Sequence, residues 1–226
     1  MENKTETEEY IDQVKSMPIE KLCKKLNCTL EEICLGNYIA RETKDTVCPY
    51  KVILGFADFE GSEVTDLGKL EVVFGNKLNS VKSEDGEPTY SGLNIKNSKI
   101  TNLGKLRAVY GLFYFDRNLT SLGNLEFLGS GLNLNNTSIR TLGKVRKIKG
   151  KLNIEDSSLE SLGNLEIVEE MYINSGKLRD LGKLEKAGKI SVGAKCGNLT
   201  LCLLNSCFVR KKGRFVRNNV KKLAMI

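Results

Sequence analysis

Histidine and tryptophan are both missing from the sequence. The first absence removes imidazole acid–base catalysis, histidine-containing triads and histidine metal ligands. No apolar run approaches the roughly 18 residues needed to span a bilayer. The N-terminal stretch MENKTETEEY is acidic and polar and lacks the character of a secretory leader. No GxxxxGK[ST] phosphate loop occurs. The seven cysteines are an odd number, which argues against a complete disulfide framework. Cys23, Cys28, Cys34 and Cys48, like Cys196, Cys202 and Cys207, are spaced more widely than paired zinc-knuckle cysteines. They read as buried free thiols in a reducing, cytoplasmic setting. Paired acids such as Glu155–Asp156 and Glu169–Glu170 read as solvated. The sequence therefore predicts no enzyme, no metal and no cofactor.

What is present is a repeat. Residues 122–141 read LGNLEFLGSGLNLNNTSIRT and residues 142–161 read LGKVRKIKGKLNIEDSSLES. Apolar residues fall at Leu122, Leu125, Leu128, Leu132, Leu134 and Ile139. They return at Leu142, Val145, Ile148, Leu152, Ile154 and Leu159. A fixed period of this length marks a solenoid. Each block sets a short strand beside that of the next, and no block can bury its apolar face alone. Further blocks open at Leu67, Leu103, Leu162 and Leu181, and Ala57, Phe59, Ser62 and Val64 belong to an earlier one. The Leu67 block carries a surplus at residues 76–91, where Ser83 to Pro88 is turn chemistry, and this insertion is expected to project from the scaffold. The Leu103 and Leu162 blocks are one residue short, and the gap is placed just after the strand in both. The glycine of each Leu-Gly pair is expected to form a backbone turn that other residues avoid.

The spacing L-x-x-L-x-x-L-x-x-x-L-x-L-x-x-T-x-I resembles the leucine-rich repeat family, in its short, about 20-residue bacterial or viral form. The expected fold is an α/β-repeat solenoid, mainly β: a short curved leucine-rich-like solenoid with a helical N-terminal cap. The alternative is a right-handed parallel β-helix, which also uses repeats near this length. The resemblance implies that Ser62, Ser98, Thr137 and Ser157 bond the backbone of adjacent turns, and that Arg117 and Gly176 break this ladder. It also implies that the exposed strand face is the binding face.

Three regions are expected: a helical cap at 1–49, the solenoid at 50–207, and a basic cap or tail at 208–226. In the first, Ile19, Leu22, Cys23 and Leu26 form a helical stripe, and Thr29-Leu-Glu-Glu32 is a capping box opening a third helix. The stretch IEKLCKKLNCTLEEI resembles a helix-turn-helix core, which implies DNA binding. Glu31 and Glu32 would then face phosphates, which is electrostatically unfavourable, so a cap over the open end of the solenoid is the preferred reading. LTLCLLNSCF suits a last buried strand and FVRKKGRFVR a hairpin. The net charge of +7 sits in the tail: residues 208–226 hold seven basic residues and no acid, and the other 28 basic residues balance the 28 acidic ones. A solenoid that follows a phosphate backbone would carry that charge along its own surface.

In each strand the residues between the apolar ones point outward. The columns so formed supply the candidate partner-binding residues Tyr114, Asp116, Asn133, Asn135, Asn153, Glu155, Tyr172 and Asn174. Tyrosine suits an interface because it buries area while keeping a polar tip. The basic contact candidates are Arg210, Lys211, Lys212, Arg214 and Arg217. The expected function is a non-enzymatic module that binds another protein through the strand face and the inserted loop, with no membrane contact. The alternatives are nucleic-acid binding through the N-terminal helices or basic tail, and a small inhibitor of a nucleic-acid enzyme of the kind viruses encode.

Overall fold

The computed structural model describes residues 6–82, 88–197, 208–211 and 214–217, with side chains over 9–75 and 92–197. The chain winds into a parallel β-solenoid of about eight turns. One strand ladder runs unbroken through Ile33–Cys34, Val52–Ile53, Val72–Val73, Ala108–Val109 and Phe127–Leu128. It continues in register through Lys147, Ile167 and Lys186. We call this ladder A. A second, ladder B, follows one corner later in every turn: Tyr38–Ile39, Ala57–Asp58, Leu93–Asn94 and Phe113–Tyr114, then Leu132–Asn133, Leu152, Met171 and Ile190. A third side carries isolated parallel bridges, Val47 to Asp66 and Thr141 to Ser161 to Asp180. No α-helix follows the strand in any repeat among the described residues, and the first turn carries one 3-10 turn, Ala40–Glu42. The curved leucine-rich architecture with helices or loops behind one sheet therefore gives way to the β-helix alternative, with parallel pairing on three sides.

The apolar period explains this cross-section. Ile53, Val73, Val109, Leu128, Ile148 and Val168 point inward from ladder A, each at most 1% exposed. Leu134, Ile154 and Ile173 do the same from ladder B, and Ile139, Leu159 and Leu178 from the third side, all at 0%. The Leu-Gly corners behave as expected: Gly68, Gly104, Gly123, Gly143, Gly163 and Gly182 have φ between 50° and 59°. The residue two before each glycine accepts its N–H, from Asp66, Asn102, Ser121, Thr141, Ser161 and Asp180 at 2.6–3.1 Å. The repeating unit is thus [D/N/S/T]-Leu-Gly, a side-chain-capped corner.

Several expectations change. Residues 33–49 are the first solenoid turn, not part of a helical segment, since Ile33 and Tyr38 already pair in ladders A and B. The helices α1 (Glu6–Lys15) and α2 (Ile19–Leu26) lie against the outer flank of ladder A instead of across the solenoid's end. Leu54, Phe74 and Tyr110, which follow the inward residues Ile53, Val73 and Val109, form an apolar ridge there. Tyr10, Ile11, Val14 and Leu22 cover it, with the Tyr10 ring 5.4 Å from Tyr110 and Tyr110 stacked 4.9 Å from Phe74. Lys15 Nζ closes the edge on Gly75 O at 2.6 Å.

In the insertion, Asn76–Lys82 pairs antiparallel with Pro88–Asn94, and the second strand runs on into ladder B. The basic segment also forms the expected hairpin, Phe208–Lys211 against Arg214–Arg217, whose second strand pairs antiparallel with Lys186 and Ala187. It covers the last edge of ladder A, an edge that would otherwise be open to intermolecular pairing. The buried strand read from LTLCLLNSCF lies outside the described residues.

In the Leu162 turn the missing residue falls before the ladder B strand, because the register slips between Ile148 and Lys151 against Val168 and Glu170. In the Leu103 turn it falls after the strand, as expected. The hydroxyl positions also differ from the leucine-rich pattern. Ser62, Ser98 and Thr137 donate to Phe59, Ile95 and Leu134 O of their own turns at 2.7–2.9 Å. Ser175 takes the place left by Gly176, is 4% exposed, and donates to Ser157 O of the neighbouring turn.

Candidate functional site: an opening in ladder B

Ladder B is closed by a regular bond at most steps. Phe59 N–H donates to Asn94 O, Ile95 N–H to Tyr114 O, and Leu134 N–H to Asn153 O, at 2.8–3.0 Å. At the step between the fourth and fifth turns the homologous bond would run from Phe115 N–H to Asn133 O. It is not formed, and Leu112–Tyr114 and Leu132–Asn133 do not pair. Ladder A stays closed at the same level, with Ala108 opposite Phe127 and Val109 opposite Leu128. The two turns therefore meet on one side and splay on the other, which leaves a groove of about 540 Å³.

The cause lies in two residues and one gap. Where the flanking turns place Leu93 and Ile95 or Leu132 and Leu134, the fourth places Phe113 and Phe115 together. Their rings pack 4.8 Å apart. Phe113 is 6% exposed and Phe115 is only partly buried, whereas Leu132 and Leu134 are at 1% and 0%. Extra volume in a close-packed interior forces backbone to move. The missing residue between Asp116 and Leu119 shortens the following corner and removes slack that could have absorbed it.

The groove collects five of the eight partner-binding candidates: Tyr114, Asp116, Asn133, Asn135 and Asn153. Glu155, Tyr172 and Asn174 lie farther along the same face, where Asn153 is opposite Tyr172 and Glu155 opposite Asn174. Much of the face's polar chemistry is spent internally. Asn133 Oδ1 accepts Asn135 N–H at 3.0 Å and Asn153 Nδ2 at 3.3 Å, and Asn174 Nδ2 donates to Glu155 at 3.1 Å. Asp116 accepts the N–H groups of Asn97 and Asn118 at 3.0 and 2.9 Å. Asn94 and Asn97 both donate to Glu60, and those bonds, with Lys96 and Arg41 nearby, hold its carboxyl below the ordinary value. Asn153 Oδ1 is the exception: it is buried with no partner.

Three groove cations were not in the candidate set. Lys96, Arg117 and Lys151 are exposed and none forms an ion pair among the described residues. Lys96 Nζ sits 5.1 Å from the Tyr114 ring and Lys151 Nζ 5.7 Å from the Tyr172 ring. Tyr114 is 39% exposed, and partial burial pushes its hydroxyl pKa upward. The sequence signal for two of them was present: Lys96 and Lys151 flank the inward residues Ile95 and Leu152 of the third and sixth turns, whereas Arg117 follows Asp116 beyond the fourth strand.

Elsewhere the candidates separate. Arg210, Lys211, Arg214 and Arg217 lie on the C-terminal hairpin, at the far end of ladder A from the groove, and Lys212 lies outside the described residues. The helix-turn-helix reading loses its recognition helix. Residues Leu30–Glu32 form one 3-10 turn, and the chain enters the strand Ile33–Cys34. Thr29 N–H does donate to Glu32 Oε2 at 3.0 Å, and with Lys69 this lowers the Glu32 pKa. Cys23, Cys28, Cys34 and Cys48 are free thiols, and burial pushes Cys48 up to about 11, so it is not a poised nucleophile. Among the described residues no group of three or more metal-ligating side chains converges, and no helix is long and apolar enough to cross a membrane. No family model, no curated protein and no solved structure matches the chain.

Proposed function

We propose that the protein is a non-enzymatic interaction module that binds a partner protein through the outer face of ladder B. The carrying observation is the groove at the fourth and fifth turns, where ladder B, paired at its other described steps, leaves strand edges, two aromatic rings and three cations without an ion pair among the described residues. A reducing, cytoplasmic setting fits the free thiols of Cys23, Cys28, Cys34 and Cys48.

The test is affinity capture from host extract with the intact chain and with Tyr114→Ala/Tyr172→Ala. Truncating interface tyrosines commonly costs about 2 kcal/mol or more. The double variant is expected to lose the captured partner while keeping its denaturation midpoint. Full retention of the partner by the tyrosine variant, with loss on neutralising Arg210, Lys211 and Arg214, would move the function to the C-terminal hairpin.

A further inference from the structure

We infer that the groove between the fourth and fifth turns receives an extended acidic peptide segment of another protein, laid in as an added strand with carboxylates on Lys96, Arg117 and Lys151. This rests on the interaction reading above and names the occupant it leaves open. Three features carry it. The backbone offers a strand's bonding groups, because the Phe115 N–H and the Asn133 carbonyl lack the partners that their counterparts have at the neighbouring steps. Strand addition to such an edge supplies affinity through main-chain bonds and specificity through alternate side chains. Asn153 Oδ1, buried and unpaired on the groove wall, is a further acceptor for a peptide N–H.

The side chains then select the peptide. Phe113 and Phe115 floor the opening and provide apolar contact for one face of an extended chain. Asp116, the one groove carboxylate, has both oxygens engaged by Asn97 and Asn118 N–H groups. Against that one carboxylate stand Lys96, Arg117 and Lys151, so the groove lining is net positive, carboxylates opposite the three cations complement it and lysines are repelled. A pattern of alternating acidic and apolar residues places both sets correctly, because successive side chains of a strand point to opposite faces.

The experiment uses the full chain and a random octapeptide library displayed on phage, followed by fluorescence anisotropy with the selected peptides made synthetically. Selected sequences are expected to alternate Asp or Glu with apolar residues. Their binding should weaken at least tenfold in Lys96→Glu/Lys151→Glu and in Phe115→Leu, which narrows the opening. Both variants should keep the denaturation midpoint of the parent to within a few tenths of a molar urea, because both lysines are exposed and Phe115→Leu relieves crowding at the open step. Basic selected sequences, binding that ignores both variants, or no saturable binder would overturn the inference. So would a dimer in sedimentation that Lys96→Glu/Lys151→Glu disrupts, which would make a second copy of this chain the occupant. The purified chain and synthetic peptides report on this inference alone. The tyrosine variant in host extract reports on the broader reading.

Discussion

Ladders A and B are built from the same repeats, yet one is continuous over all its levels and the other is open at one. Ladder A is pinned from outside. Its entry column reads Glu32, Lys51, Glu71, Arg107, Glu126, Arg146, Glu166, Glu185, and each residue donates its N–H to the carbonyl of the one before at 2.8–2.9 Å. Charge alternates along this column until its last member. Arg107 pairs with Glu71 and Arg146 with Glu166, both at 2.9 Å. Helices α1 and α2 then cover the flank of its early turns. Ladder B has neither device at its fourth and fifth levels, and carries two phenylalanines where its neighbours carry Leu or Ile. Continuity in a solenoid is thus imposed by each step's own side chains, as nearest-neighbour stacking requires, and a turn that relaxes them leaves an open strand edge.

The largest expected effect contrasts an inward residue at a closed step with one at the open step. Leu134, fully buried beside the bond from its own N–H to Asn153 O, should cost roughly 2–5 kcal/mol on mutation to alanine, as buried leucines do. Phe115→Leu, at the open step, should cost less than about 1 kcal/mol, because the smaller side chain relieves crowding. Urea unfolding of both variants reads the difference. Equal losses would mean that the groove is as well packed as the rest of the core.

A smaller effect tests the outer column of ladder A. Arg146→Glu places like charges at three consecutive levels, from Glu126 to Glu166, and should lower the urea midpoint measurably. Adding Glu166→Arg should recover part of the loss. No recovery would mean that the alternation is incidental to the stacking.

The smallest effect is a pH dependence. The Arg146 guanidinium holds Glu166 below its ordinary value of 4.5, and Glu32 and Glu60 are also lowered. Folded-state values below the unfolded ones mean that the unfolded chain takes up protons first as pH falls. Their contribution is present above about 4.5 and is lost as pH drops through the folded values. Acid titrations of stability should show a shallower decline in Glu166→Gln than in the parent. Identical curves would mean that the exposed pair contributes nothing, a common outcome for surface ion pairs.

Much of the scaffold was legible in the sequence. The period gave the stacking, the inward columns and the glycine corners, because those depend on local pattern alone. The choice between a leucine-rich curve and a β-helix was not decided by the apolar positions, which suit both. The alternating charges of the column from Glu32 to Glu185 were readable at the same spacing and point to a paired strand there. The flank position of α1 was hidden because Leu54, Phe74 and Tyr110 break no repeat rule; only their outward register shows that they need a cover. At the site, Tyr114 and the asparagine columns were found by alternation. The groove itself was missed because it depends on a bond that fails to form, although the short block and the Phe113–Phe115 pair together mark the place.

The central claim is that ladder B is open between the fourth and fifth turns, and native-state amide hydrogen exchange tests it most directly. Exchange of Ile95, Phe115 and Leu134 N–H should be followed by NMR in the free protein. The account predicts slow, globally protected exchange at Ile95 and Leu134, whose N–H groups bond Tyr114 O and Asn153 O at 2.8 and 3.0 Å. Phe115 should exchange at least about a hundredfold faster, as an amide whose opening free energy is low. Protection of Phe115 equal to that of Ile95 and Leu134 would show a closed ladder and contradict the account.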